Sequence, residues 1–135
     1  MRKILSNMLV LDTSVVIEIE KGNSKLINKL LTLRGSYQGN LAITSAVYAE
    51  FLFGFMKIGK TKDAEKYIEN FDVLNFDSKS AAIFAFIKKG LEDNGKSIPI
   101  FDLITASSVI SNGGTLVTLD AHFNSVPQLD CVLLA

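Results

Sequence analysis

Four acidic residues, Asp12, Glu50, Asp102 and Asp120, each stand at the edge of an apolar segment, in the phrases LVLDTS, SAVYAEFLFG, IPIFDLITASS and TLVTLDAHF. A carboxylate whose neighbours favour burial costs free energy unless a cation or hydrogen bonds compensate it. If the fold gathers all four, they repel one another, and a divalent ion that prefers oxygen ligands, Mg²⁺ or Mn²⁺, is their natural partner. An ion held in this way positions a water and lowers its pKa. Thr13, Ser14 and Thr118 stand beside the acids with hydroxyls suited to orienting carboxylates. The same hydroxyls equally suit strand ends and helix caps.

Each acid also has an ordinary reading. Asp12 precedes Thr13, Ser14 and an apolar run, as a helix N-cap does. Asp102 could line the first turn of a helix, and Asp120 could be a turn residue. Glu50 is harder to dismiss, because it is the only charged residue between positions 46 and 56. A helix apolar nearly all round is buried or covered by a partner, and a Glu within it needs compensation.

The elements that must position these residues follow from hydrophobic patterning. Short apolar runs predict strands at 8–12, 41–45, 71–77, 115–120 and 130–134. Helical periodicity predicts helices at 14–20, 24–33, 45–57, 61–70, 79–93 and 101–111, with Gly22, Gly35, Gly59, Gly95 and Gly113-Gly114 as stop signals. Strands alternating with helices predict an α/β fold with a parallel sheet covered on both faces. Ligands of such open sheets collect beyond the strand C-termini, where the winding direction reverses. Asp12, Thr118 and Asp120 lie at or just after such C-termini, and Glu50 about a turn and a half into the helix after the second strand. Asp102 lies near the start of a helix that follows no strand, so pattern alone does not bring it in.

At 135 residues and 48% apolar composition, the chain suits one domain over residues 1–135 with a substantial core. Fourteen Lys and Arg balance fourteen Asp and Glu, so no overall charge makes it a nonspecific nucleic-acid binder. The lysines at 57, 60, 62 and 66 fit a solvated helical face better than an RNA contact. The apolar run in the opening MRKILSNMLVLD is short and ends in an acid, which supports neither a signal peptide nor a membrane span and leads us to expect a soluble cytoplasmic protein. The lone Cys131, in the run CVLLA, is expected to be a small core residue.

Taken in order, the motifs resemble those of the PIN-domain nucleases, in particular the toxin halves of VapBC toxin-antitoxin pairs. The resemblance covers nearly the whole chain. It rests on Asp12-Thr13-Ser14, on Glu50 with Gly54, on Gly95, Ile98, Asp102, Ile104 and Ala106, and on Thr118, Asp120 and Phe123. Thr105 departs from the pattern where a second small apolar residue is common, and the final strand lacks an aromatic ending. The resemblance implies a three-layer α/β/α fold with strand order 3-2-1-4-5, in which strands one and four flank the winding reversal and deliver Asp12 and Asp120. It further implies a Mg²⁺- or Mn²⁺-dependent endoribonuclease, the toxin of a type II pair, acting on RNA, bound by a small antitoxin and assembled as a homodimer. Asp12, Asp102 and Asp120 are then metal ligands, and Glu50 is a ligand or the group that orients the attacking water.

Two other functions compete. A receiver-like phosphorylation module would use Asp12, Asp77 and Thr118, but it needs a Lys after the last strand, which CVLLA lacks, and it leaves Glu50 and Asp102 unexplained. A catalytically idle PIN-like domain could bind RNA or protein only; retention of all four acids argues against it. His122 is the only histidine, so a metal-free mechanism with paired imidazoles has no second partner. Its place beside Phe123 suggests packing or a phosphate contact.

Overall fold

The computed structural model describes residues 7–37 and 39–135. Five short strands, β1 (Leu9–Leu11), β2 (Ala42–Thr44), β3 (Asp72–Leu74), β4 (Thr115–Thr118) and β5 (Cys131–Leu133), form one sheet of order β3-β2-β1-β4-β5. Every neighbouring pair is parallel, as the alternation of strand and helix patterns requires. The order reverses between β1 and β4, whose register pairs Leu9, Val10 and Leu11 with Thr115, Leu116 and Val117. Residues 1–6, part of the segment read for a leader, lie outside the described residues; among the latter no helix is long and apolar enough to cross a membrane.

The helices are α1 (Thr13–Glu20), α2 (Ser24–Arg34), α3 (Ser45–Met56), α4 (Thr61–Ile68), α5 (Ser78–Asp93) and α6 (Ile100–Ser111), each within two residues of its expected span. A short 3₁₀ helix at Ala121–Ser125 was not expected. The third strand is shorter than the run 71–77 suggested, because Asp77 leaves the ladder to cap α5, accepting hydrogen bonds from the Ser80 amide and hydroxyl, each at 2.9 Å.

Alternation along the central strands divides the core into two layers. Leu9, Leu11, Ile43 and Val117 face a cluster with Val15, Val16, Leu26, Leu30, Val47 and Phe51 from α1, α2 and α3. Val10, Ala42 and Leu116 face the other way, against Ile87, Leu91, Leu103, Ala106 and Val109 of α5 and α6. Cys131 packs half-buried against this second layer, where burial pushes its thiol pKa up. Gly114 opens β4 where a Cβ would come within 3.0 Å of Val10 Cγ2, so this close approach to β1 suits glycine.

Candidate active site

Asp12 ends β1 and occupies the N-cap position of α1, yet its side chain makes no capping bond. Its backbone oxygen accepts from the amides of Val15 and Val16 instead. The carboxylate, 3% exposed, receives the Thr118 hydroxyl at 2.8 Å and the Ser14 hydroxyl at 3.1 Å, both on Oδ2. Ser14 also accepts the Leu119 amide at 3.3 Å, and Thr118 accepts the Asp120 amide at 3.0 Å. The hydroxyls expected to orient acids therefore tie the end of β1 to the end of β4.

Glu50 projects from α3 and receives the Thr13 hydroxyl on Oε1 at 2.8 Å. Asp102, in the first turn of α6, is hydrogen-bonded through Oδ2 to His122 Nε2 at 2.8 Å. In all three acids one carboxylate oxygen is held by a neighbouring side chain, while the other is bonded by no side chain among the described residues; the Thr13 amide also favours the Asp12 charge. Asp120 is exposed, placed by the Thr118 bond to its amide.

The acids act on one another. Burial chiefly pushes the Asp12 carboxyl above its usual pKa, against the pull of the Thr118 and Ser14 hydrogen bonds, and the charge of Asp102 adds to the rise. Glu50 is raised first by burial, against its Thr13 bond, and then by the charges of Asp102 and Asp12. Even so, among the described residues no three His, Cys, Asp or Glu side chains converge closely enough to enclose a metal ion as they stand. The donor set nevertheless fits a hard, oxygen-seeking cation in its chemistry: carboxylates only, each with an oxygen to spare.

Two features of the site had not been read from the sequence. α5 and α6 pack as an antiparallel pair, with the Ser80 and Ser111 hydroxyls 2.7 Å apart. The first turn of α6 thereby reaches the end of β4, and Asp102 meets His122. Buried within the same region, the Thr44 hydroxyl lies 3.0 Å from that of Thr105 while also capping α3 through the Val47 amide at 3.2 Å. This link sets α3, with Glu50, against α6, with Asp102, and Thr105, which departed from the resemblance, makes it. His122 stacks on Phe123 with ring centroids 4.8 Å apart, as expected for local packing, but its bond to Asp102 had no signal beyond the family phrase. Asp77, the residue a receiver module would have needed, is taken up by its capping bonds.

A parallel sheet whose reversal brings one buried and several more exposed carboxylates toward its strand ends suits a nuclease, and comparison with known proteins names the family. The chain belongs to the PIN-domain family, which it matches over residues 9–129. It is similar to ribonuclease VapC3 of Methanocaldococcus jannaschii, with 35% identity covering 73% of this chain and 94% of that one. It is also similar to ribonuclease VapC2 of Rickettsia felis, with 29% identity covering 89% and 92%. The fold matches the crystal structure of VapBC2 from Rickettsia felis bound to a DNA fragment from their promoter, with a TM-score of 0.81, 25% identity and coverage of 95% and 99%. It matches DNA-bound VapBC from Salmonella typhimurium at a TM-score of 0.81 and 22% identity, covering 96% and 99%.

Proposed function

We propose that the protein is a Mg²⁺- or Mn²⁺-dependent endoribonuclease and the toxin component of a type II toxin-antitoxin pair. The observation that carries this reading is the set of three acids at the β1–β4 reversal, each with one oxygen held and one free. The ribonuclease names of its relatives, and the VapBC complexes whose fold it shares, support it. On this reading Asp12, Asp102 and Asp120 would hold the cation, and Glu50 would be a further ligand or the group that orients the attacking water. The bound cation supplies charge neutralisation at the phosphodiester and a water of lowered pKa.

The chain's own residues do the remaining work. Thr118 and Ser14 fix the rotation of Asp12, His122 fixes Asp102, and Thr13 fixes Glu50, while the acids must still draw closer together to enclose an ion. Where Glu50 orients the attacking water instead of binding the ion, its free Oε2 would accept that water's proton. Thr13, Ser14 and Thr118 thus support the site without touching the scissile bond.

Purified protein should cleave RNA with Mg²⁺ or Mn²⁺ and stop with EDTA. Asp12→Asn and Asp102→Asn, which preserve shape and remove charge, should abolish cleavage; full activity in both would refute the assignment. The same reading makes residues 1–135 one cytoplasmic domain, working as a homodimer and silenced by a small antitoxin. Co-expression with a small protein encoded beside it should then give a soluble complex with suppressed activity.

A further inference from the structure

A cleft of about 320 Å³ opens between α5 and the chain that leaves the 3₁₀ helix, and no residue of α3 lines it. Pockets for small ligands run from about 300 to 1,000 Å³, so this one suits a single small molecule. Ile87, Gly90 and Leu91 recur at three- and four-residue spacing and make one wall, with Asn94 at the C-cap of the same helix. Ile87 and Leu91 are 2% and 5% exposed and form an apolar floor, which Pro127 faces from the other segment. Gly90 leaves the wall open, because a Cβ there would meet nothing within 4 Å. Asn94 donates Nδ2 to the Gly90 carbonyl at 2.8 Å, and its Oδ1 accepts nothing among the described residues. The Gln128 amide and the Lys96 ammonium, also on the cleft, have no partner among those residues either. Lys96 is the only charged residue lining it. Two segments tie the cleft to the acids: Ser125 lines it and donates its hydroxyl to the His122 carbonyl at 2.7 Å, and Lys96 stands on the link into α6, six positions before Asp102.

We propose that this cleft binds one nucleotide, with its base against Ile87, Leu91 and Pro127 and its phosphate at Lys96. A base is apolar on its faces and carries donors and acceptors at its edge, so an apolar floor rimmed by two primary amides matches it. A wholly apolar ligand would leave the amides unpaired, and a bare anion would leave the floor uncovered. The partial negative charge of a helix C-terminus opposes an anion where α5 ends. Its last carbonyls are already met, Leu91 by the Asn94 and Lys96 amides and Glu92 by the Gly95 amide, so the Lys96 ammonium sets the local sign. A free monophosphate and one residue of an RNA strand offer the same chemistry. The site stands on the cleft alone and does not depend on the nuclease reading.

AMP and CMP, titrated separately into the protein in EDTA and followed by amide NMR, test this without any cleavage. Shifts should concentrate at residues 87–96 and 125–128, and inorganic phosphate should move only the surroundings of Lys96. Lys96→Gln, a change to an exposed side chain, should weaken nucleotide binding about tenfold, the worth of one hydrogen bond to a charged group. Gly90→Leu fills the cleft from a position with room for a side chain, favours the helix, and should abolish binding. A single-stranded RNA bound to the Asp12→Asn protein in EDTA separates the two sources. If a strand occupies the cleft, Lys96→Gln lowers RNA affinity and reduces its salt slope by about one. If only a free nucleotide does, RNA affinity is unchanged while AMP binding is weakened. No shifts at these residues with either nucleotide, shifts that phosphate alone reproduces in full, or undiminished binding by Gly90→Leu would overturn the site. Failure of the nuclease reading has a separate sign: wild type that cleaves no RNA with Mn²⁺, while AMP still binds the cleft.

Discussion

Asp12 is held at 3% exposure by two hydroxyls and faces the charge of Asp102, so its ionised form is opposed by burial and by a like charge. Glu50 shares that condition more mildly. Because both pKa values are raised on folding, the folded protein binds more protons than the unfolded chain between the ordinary carboxyl values and the raised ones. Stability without metal should therefore fall as pH climbs through that window. Asp77 and Glu18, whose pKa values are lowered, act in the opposite sense and only below the ordinary range. Melting curves in EDTA across acid to neutral pH should show the decline, and Asp12→Asn should flatten it; a variant as pH-sensitive as wild type would contradict the account. If the acids hold a cation as proposed, Mn²⁺ should bind the folded state preferentially and raise the melting temperature, and Asp120→Asn should shrink the rise. Equal shifts would place the ion elsewhere.

At the scale of elements, the buried Thr44–Thr105 contact couples the two helices that carry Glu50 and Asp102. Thr105→Val should cost about 1 kcal/mol, the usual worth of one such hydrogen bond, because Thr44 keeps its bond to the Val47 amide. The cleavage rate should fall by more than that stability loss explains, and Thr105→Ser should restore it; a Val variant with the wild-type rate would separate the contact from the site. Gly54 lies inside α3 with room for a methyl group, so Gly54→Ala should raise stability by about 0.5–1 kcal/mol, readable by chemical denaturation.

The helices were legible because their apolar stripes, and glycines such as Gly59 and Gly113 with positive φ, mark each span and stop. β1 was plain as a continuous apolar run and β4 as an apolar pair between threonines, both buried throughout. What pattern did not carry was the turn of α6 that delivers Asp102, since it depends on how α5 packs against α6 rather than on either helix alone. The helix apolar nearly all round over 46–56 is buried only in part. Phe51 and Phe55 stack at 4.7 Å and Tyr67 joins Phe51 at 5.8 Å, so α3 and α4 absorb them. Phe53, Met56 and Ile58 remain exposed.

For the molecule as a whole, β1, β2 and β4 each supply side chains to both core layers, so neither layer can melt without disturbing the other. Unfolding followed by calorimetry and by tyrosine signals from the first layer should give one coincident transition. Phe51, 1% exposed, fills that layer, and Phe51→Ala should cost about 3–5 kcal/mol while keeping a single transition. Two separated transitions would split the chain into units the sheet does not suggest.

The bond from Thr118 to Asp12 spans 106 positions of sequence. During synthesis, β1 emerges early and must wait for β4 before its aspartate acquires the hydroxyl that orients it. Local helices form quickly, whereas so distant a pairing closes late. Partly made chains and fragments ending before β4 should therefore be harmless to RNA, and in refolding experiments cleavage should appear only with the final phase. The fold thus delays its own chemistry until nearly all of the domain has been made.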